Sequence, residues 1–266
     1  MLNEKLKPVY SISLLLLIAA VCVCAGVIAP GDPTRMDFDA LNMPPNAEHI
    51  FGTDQLGRDM FKMILHGGRV SLFVGVFASA ISALIAMVYG AAAGLAARPL
   101  DNFLMRFSEL LLSIPSILYV VSIQAILGKP TVVSISVVIG ITSWANIAKI
   151  VRAEVRQIGK SEYISASRLM GARFAYILRR HLLPNFIPSI MFMLIYNVSQ
   201  AIAAEATLSF LGLGLPPSAV SWGTLMSLSQ DALLTNSYWI ICIPTLFLVV
   251  TLVCIVNIGE YLRKGY

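Results

Sequence analysis

Charge is what this sequence has least of: Asp, Glu, Lys and Arg together make up 12% of its 266 residues. A soluble domain carries roughly 25%. Half that density cannot coat a water-facing surface, so a soluble globular protein is excluded and most of the exterior must face lipid. Cysteine is scarce as well. Cys22, Cys24, Cys242 and Cys254 all lie in apolar runs with no C-x-x-C among them, which excludes a disulfide framework and a zinc site. His49, His66 and His181 are far apart, and nothing groups them as a metal site. No paired carboxylates, His cluster or Ser/His arrangement project from one side, so no catalytic, cofactor or metal residue is expected and a membrane-embedded enzyme finds no support. Internal repeats and low-complexity tracts are missing too, which removes the sequence mark of an inverted-repeat carrier.

What the chain has instead is apolar length: 58% of its residues are hydrophobic, with a mean hydropathy of +0.80. A bilayer core needs about 20 apolar residues per helix, and six stretches qualify, at about 10–29, 70–97, 109–127, 132–151, 186–206 and 239–259. The first run also fits a signal peptide, with Lys5 and Lys7 as its basic start, but it is long for one and reads as a span. Gly128-Lys129-Pro130 makes the third and fourth runs a helical hairpin. Of the 19 Lys and Arg residues, 14 fall on one side if the N-terminus is cytoplasmic. The positive-inside rule therefore puts both termini in the cytoplasm, and the net charge of +5 is loop charge, not a nucleic-acid surface.

Three polar segments remain. Residues 30–69 hold four prolines and six acids, residues 152–185 are basic and helix-like, and residues 207–238 are rich in Gly, Pro and Ser. Within the second, Gly159-Lys160-Ser161 looks like the tail of a phosphate-binding loop. That loop needs a glycine five residues earlier, after a strand; the position is Glu154, inside a helical run. The triplet is a coincidence, and the chain does not bind ATP there. The segment reads better as two short helices around Gly171. Ser161 and Glu162 suit the start of the first, and Gly171 permits the turn. Phe174, Ile177, Leu178 and Leu182 then form one apolar stripe, and Pro184 ends the run. An amphipathic helix lying on the inner leaflet would also have such a stripe. The break at Gly171 favours a helix pair docking into a partner's groove.

At these residues the chain resembles the binding-protein-dependent ABC importer permeases. Their cytoplasmic signature runs E-A-A, three residues, G, nine residues, I-x-L-P. Here Ser165-Ala166-Ser167, Gly171 and His181-Leu182-Leu183-Pro184 stand in register, with serine for the acid and histidine for the isoleucine. FGTDQLGRD (51–59), GRVSL (68–72), EATLSFLGLG (205–214) and SWG (221–223) resemble the dipeptide, oligopeptide and nickel permeases of that family, specifically their second, C-type subunit.

The resemblance implies an all-α membrane protein of six transmembrane helices with a cytoplasmic coupling-helix pair between spans four and five, a MetI-like permease core. Residues 1–69 would be an anchor span with its extracytoplasmic loop, and residues 70–266 the five-span core. It implies a second homologous permease, two cytoplasmic ABC ATPase subunits and an extracytoplasmic solute-binding protein as partners, in a prokaryotic cytoplasmic membrane. The cargo would be di- or oligopeptides, or nickel, and ATP hydrolysis would belong to the partners. A stand-alone proton-coupled carrier is the alternative, though it would want more ionisable residues within the spans than Glu205. Coupling to the ATPase would fall to Glu162, Ser165, Ala166, Ser167, Gly171, Phe174, Ile177, Leu178, Leu183 and Pro184.

Three further readings stay open between two roles. Glu205 either caps a loop at the outer interface or, with Trp222, belongs to a pathway or subunit contact. Asp54, Arg58 and Asp59 either contact the binding protein or cap a short helix. Gly90 and Gly94, with Ala86 and Ala97, make a small-residue face for close helix packing, within the chain or against the partner permease. Pro115 and Pro244 are candidate kinks.

Overall fold

The computed structural model of the chain describes residues 2–128, 130–216, 218–228, 232 and 237–264, and for residues 2–8, 165, 168, 174, 175 and 264 the backbone alone. The elements run α1 (Leu2–Val23), α2 (Ala25–Ile28), α3 (Met60–Leu95), α4 (Arg98–Ser113), α5 (Ser116–Leu127), α6 (Val132–Thr142), α7 (Ala145–Ile158), α8 (Glu162–Leu169), α9 (Phe174–Ile177), a π-turn (Leu178–Leu182), α10 (Leu183–Phe210), α11 (Trp222–Leu228) and α12 (Trp239–Lys264). Among the described residues there is no sheet, only an isolated bridge between Thr53 and Asp59.

Three helices are long and apolar enough to cross a bilayer unaided: Met60–Leu95, Leu178–Phe210 and Trp239–Arg263. Among the described residues two bent pairs, α4 with α5 at 85° and α6 with α7 at 45°, bring the number up to five if each pair is one span. The apolar part of α1, Val9–Val23, is shorter. Each bend has a chemical cause. Pro115 forces Ile114 into an extended conformation (φ −102°, ψ 134°), which stops α4 and restarts the chain as α5. At the second, Thr142 turns its hydroxyl back onto the Val138 and Ile139 carbonyls, a local bond that competes with helix continuation. Pro244 lies inside α12.

Helix α3 is the axis of the bundle and packs on α1, α6, α7, α10 and α11. It starts at Met60, so the expected division at residue 69/70 falls inside a continuous helix. The cause is Asp59, whose carboxylate accepts the Phe61 and Lys62 amides and fixes the N-terminus there. At 36 residues, α3 is about 54 Å long, more than the roughly 30 Å hydrocarbon core. Its polar first turns therefore stand in the interface.

The small-residue face of α3 is used inside the chain. A Cβ at Gly90 would meet the Ala148 carbonyl at 2.5 Å, and one at Gly94 would meet Val155 at 2.7 Å. Glycine is what lets α7 lie that close. Among the described residues four apolar clusters fill the interior: one joins α1, α3, α10, α11 and α12, a second α3, α7 and the segment 164–190, a third α3, α5, α6 and α10, and a small fourth α1, α2 and α3.

Candidate functional site

The segment between α7 and α10 is built from short pieces. Ser161 donates its hydroxyl to the Ile158 carbonyl at 2.6 Å where α7 ends, and Glu162 occupies the first turn of α8. At the other end of α8 the Met170 amide bonds the Ala166 carbonyl and the Ala172 amide bonds Ser167, both at 3.0 Å. Gly171, at φ +79°, supplies the left-handed residue that this closure requires. The space around it is open, so its glycine answers to backbone geometry and not to crowding. The turn lifts two apolar side chains into solvent: Leu169 is 90% and Met170 81% exposed.

Behind that tip the segment belongs to the core. Ile164, Ile177, Leu182 and Phe186 are buried against Ile147, Val151 and Val155 of α7. His181 ties the two limbs together. Its ring lies 5.8 Å from Tyr163 and 5.7 Å from Tyr176, and its Nε2 is 3.3 Å from Ser167 Oγ.

Two expectations need correction here. The stripe of Ile177, Leu178 and Leu182 does not face outward: Ile177 and Leu182 are buried and Leu178 is half-buried, because they join the chain's own apolar cluster with residues of α3, α7 and α10. Pro184 does not end the run either. It sits in the first turn of α10, and the preceding π-turn, in which the Leu183 amide reaches back to Leu178, makes room for its ring. Of the other expected coupling residues, Glu162, Ala166, Gly171 and Pro184 are exposed, Leu183 is half-buried and Ser167 is buried. The side chains of Ser165 and Phe174 lie outside the described residues. The outward side chains, Tyr163, Leu169, Met170 and Tyr176, were missed. Their signal was an apolar pair directly before a glycine at a helix end.

A second polar assembly lies near the far end of α10. Glu205 is fully buried, as is Trp222. Three hydroxyls donate to the carboxylate: Ser221 at 2.7 Å, Ser209 at 2.8 Å and Ser71 at 3.2 Å. The Trp222 amide donates to Ser71 Oγ at 3.1 Å, and the indole Nε1 donates to the Ile64 carbonyl at 3.0 Å. The network joins α3, α10 and α11 around one acceptor. Neither Glu205 nor Trp222 presents surface to a partner or a pathway here.

The loop 30–59 closes the same end. Asp54 and Arg58 are buried and face each other at 2.6 Å, and the same carboxylate accepts the Leu56 and Arg58 amides. Asp59 caps α3 and contacts His49 Nδ1 at 2.9 Å. Trp239 pins the loop by donating to the Thr53 carbonyl at 3.0 Å. These three charged residues hold the loop together, and its exposed side chains are mixed: apolar Met36, Phe38, Leu41 and Ile50 stand among Asp32, Arg35, Asp37, Asp39 and Glu48.

Residues 86–265 match the family model of the binding-protein-dependent transport system inner membrane component. The dipeptide transport system permease protein DppC of Bacillus subtilis is 36% identical over 252 residues, covering 95% of this chain and 78% of that protein. The oligopeptide permease OppC of the same organism is 36% identical over 255 residues, covering 94% and 83%. A putative peptide transport system permease of Brucella suis is 36% identical over 252 residues, with the same coverage. Among solved structures, the inward-facing MetNI methionine ABC transporter superposes with a TM-score of 0.60 at 18% identity, over 77% of this chain and 97% of that one. An amino acid ABC transporter gives 0.55 at 15%, over 77% and 95%. At such identities the two structures speak for the fold alone.

Proposed function

The chain belongs to the family of binding-protein-dependent transport system inner membrane components, and from that premise we propose that it is the second permease of a peptide importer. In this reading it pairs with a homologous permease, and two cytoplasmic ATPase subunits seize the segment between α7 and α10. A solute-binding protein delivers di- or oligopeptides to the opposite face. The name of each relative given above attaches peptide transport to it, which favours peptide over nickel.

The observation that carries the coupling role is the exposed apolar Leu169-Met170 tip on a segment anchored by the buried Ile164, Ile177 and Leu182. Isolated in water it exposes apolar area for no local gain; inserted in a partner's groove, each side chain contributes about 1.5–3 kcal/mol. Because Ile164 and Ile177 anchor the same segment against α7, a push on the tip moves α7 and α10 with it. The outer loop, with Phe38 72% exposed, is the surface offered to the binding protein.

The test is the assembled complex in proteoliposomes. Leu169→Asp with Met170→Asp is expected to lower ATPase co-purification and ATP-driven dipeptide uptake by about tenfold or more, the range of interface anchors. Full ATPase recovery with unimpaired uptake would sink the coupling role. Uptake by this chain alone, driven by a proton gradient, would replace the importer reading with a carrier.

A further inference from the structure

Helix α4 has three faces. Asp101, Met105 and Ser108 are buried against the bundle. Leu100, Phe103, Phe107 and Leu110 form a second face, between 46% and 67% exposed. Arg98, Asn102, Arg106 and Glu109 form the third. A helix with separate polar and apolar exposed faces, standing at 85° to α5, is suited to lie in a membrane interface with its apolar stripe among acyl chains.

Beside α4 opens a cleft of about 630 Å³ between the end of α3, the start of α4 and the end of α7. Its charged lining is Arg98, Arg156 and Lys160, with no carboxylate. The nearby acid is already engaged: Asp101 binds Arg152 through paired hydrogen bonds and Arg156 at 2.9 Å. Among the described residues no acid pairs with Arg98 or Lys160, and both are exposed. A neighbouring cleft continues the band with Arg106, Lys149 and Arg152 against Glu109. Among the described residues the cations of this band outnumber the acids beside them, Asp101 and Glu109. The band lies at the level of an apolar interfacial stripe, where the anions at hand are phosphates of lipid headgroups.

We propose that this cleft binds the phosphate of an anionic phospholipid, with Arg98, Arg156 and Lys160 around the headgroup and the acyl chains along the Leu100–Leu110 face of α4. Lys160 stands two residues before α8, so an occupied site would also steady the base of the coupling segment. The site does not depend on the cargo or on the ATPase contact.

The experiment uses the assembled complex in phosphatidylcholine nanodiscs doped with phosphatidylglycerol, with retained lipid counted by native mass spectrometry. Arg98→Gln and Lys160→Gln are solvent-exposed changes that leave Asp101 paired. Each is expected to reduce retained phosphatidylglycerol about fivefold, and the pair roughly thirtyfold, with ATPase recovery unchanged. Inorganic phosphate or glycerol phosphate should compete poorly. Equal retention by the parent and the double variant would overturn the site. Strong displacement by inorganic phosphate, with the same dependence on Arg98 and Lys160, would overturn the lipid as its source. Loss of ATPase recovery with retained lipid unchanged would assign the cations to the motor contact instead.

Discussion

Glu205 is a carboxylate satisfied by hydroxyls alone. Ser71, Ser209 and Ser221 each donate to it, and the three oxygens in turn accept amides from Trp222, Leu215 and Thr224. Removing the acceptor leaves several buried donors without a partner, at about 1–3 kcal/mol each. Glu205→Ala is therefore expected to lower the thermal midpoint of the purified complex sharply. Glu205→Gln, which keeps the volume and one good acceptor, should cost much less. Equal midpoints for the two variants, read by a fluorescence melting assay, would show that filling the space matters and the acceptor does not. The sequence announced this residue, since an acid in an apolar run is costly wherever it lands. It could not announce the partners, because Ser71 stands 134 positions away. The same holds for Asp54 and Arg58: their spacing allowed a cap or an outward contact, and only the fold of the loop around them decides for burial.

Element ends were legible where a residue enforces them by itself. Pro115 breaks α4 from α5 and Gly171 closes α8, each by local backbone chemistry. The start of α3 was missed because Lys62, His66 and Arg69 dilute the hydropathy of its first turns, although the helix continues through them. The docking stripe failed for another reason. A 3.6-residue period shows that a helix has an apolar face and says nothing of what covers it; here the chain's own apolar cluster covers it. The π-turn was invisible from period alone, and it gives a prediction. If Pro184 is what widens the helix, deleting Arg179 should force the ring against the carbonyl four residues earlier, a cost of about 3 kcal/mol. Adding Pro184→Ala to that deletion should restore a regular helix with both ends in phase. ATPase recovery is expected to fall with the deletion and return with the second change. Equal recovery for the two would mean that the widened turn has a different cause.

At the scale of the molecule, α10 joins the two assemblies. Its 28 residues span about 42 Å, from the base of the exposed tip segment at Leu183 to the hydroxyl network around Glu205. Packed interiors deform little, so a displacement at the tip is carried along α10 as a body, and the polar contacts at its far end must give or hold as a set. Those contacts are directional and exchangeable, unlike the interlocked apolar clusters on either side, which makes the Ser71–Glu205–Ser221 junction the place where α3, α10 and α11 part most cheaply. Ser71→Cys with Ser221→Cys places two thiols around one carboxylate, and oxidation in membranes should join them. Under the proposed mechanism the joined protein keeps its ATPase subunits and binds its delivery protein, yet dipeptide uptake stops and resumes on adding reductant. Uptake that continues at full rate with the thiols demonstrably joined would mean that this junction stays closed throughout the cycle, and the parting surface would have to be sought along the apolar seams.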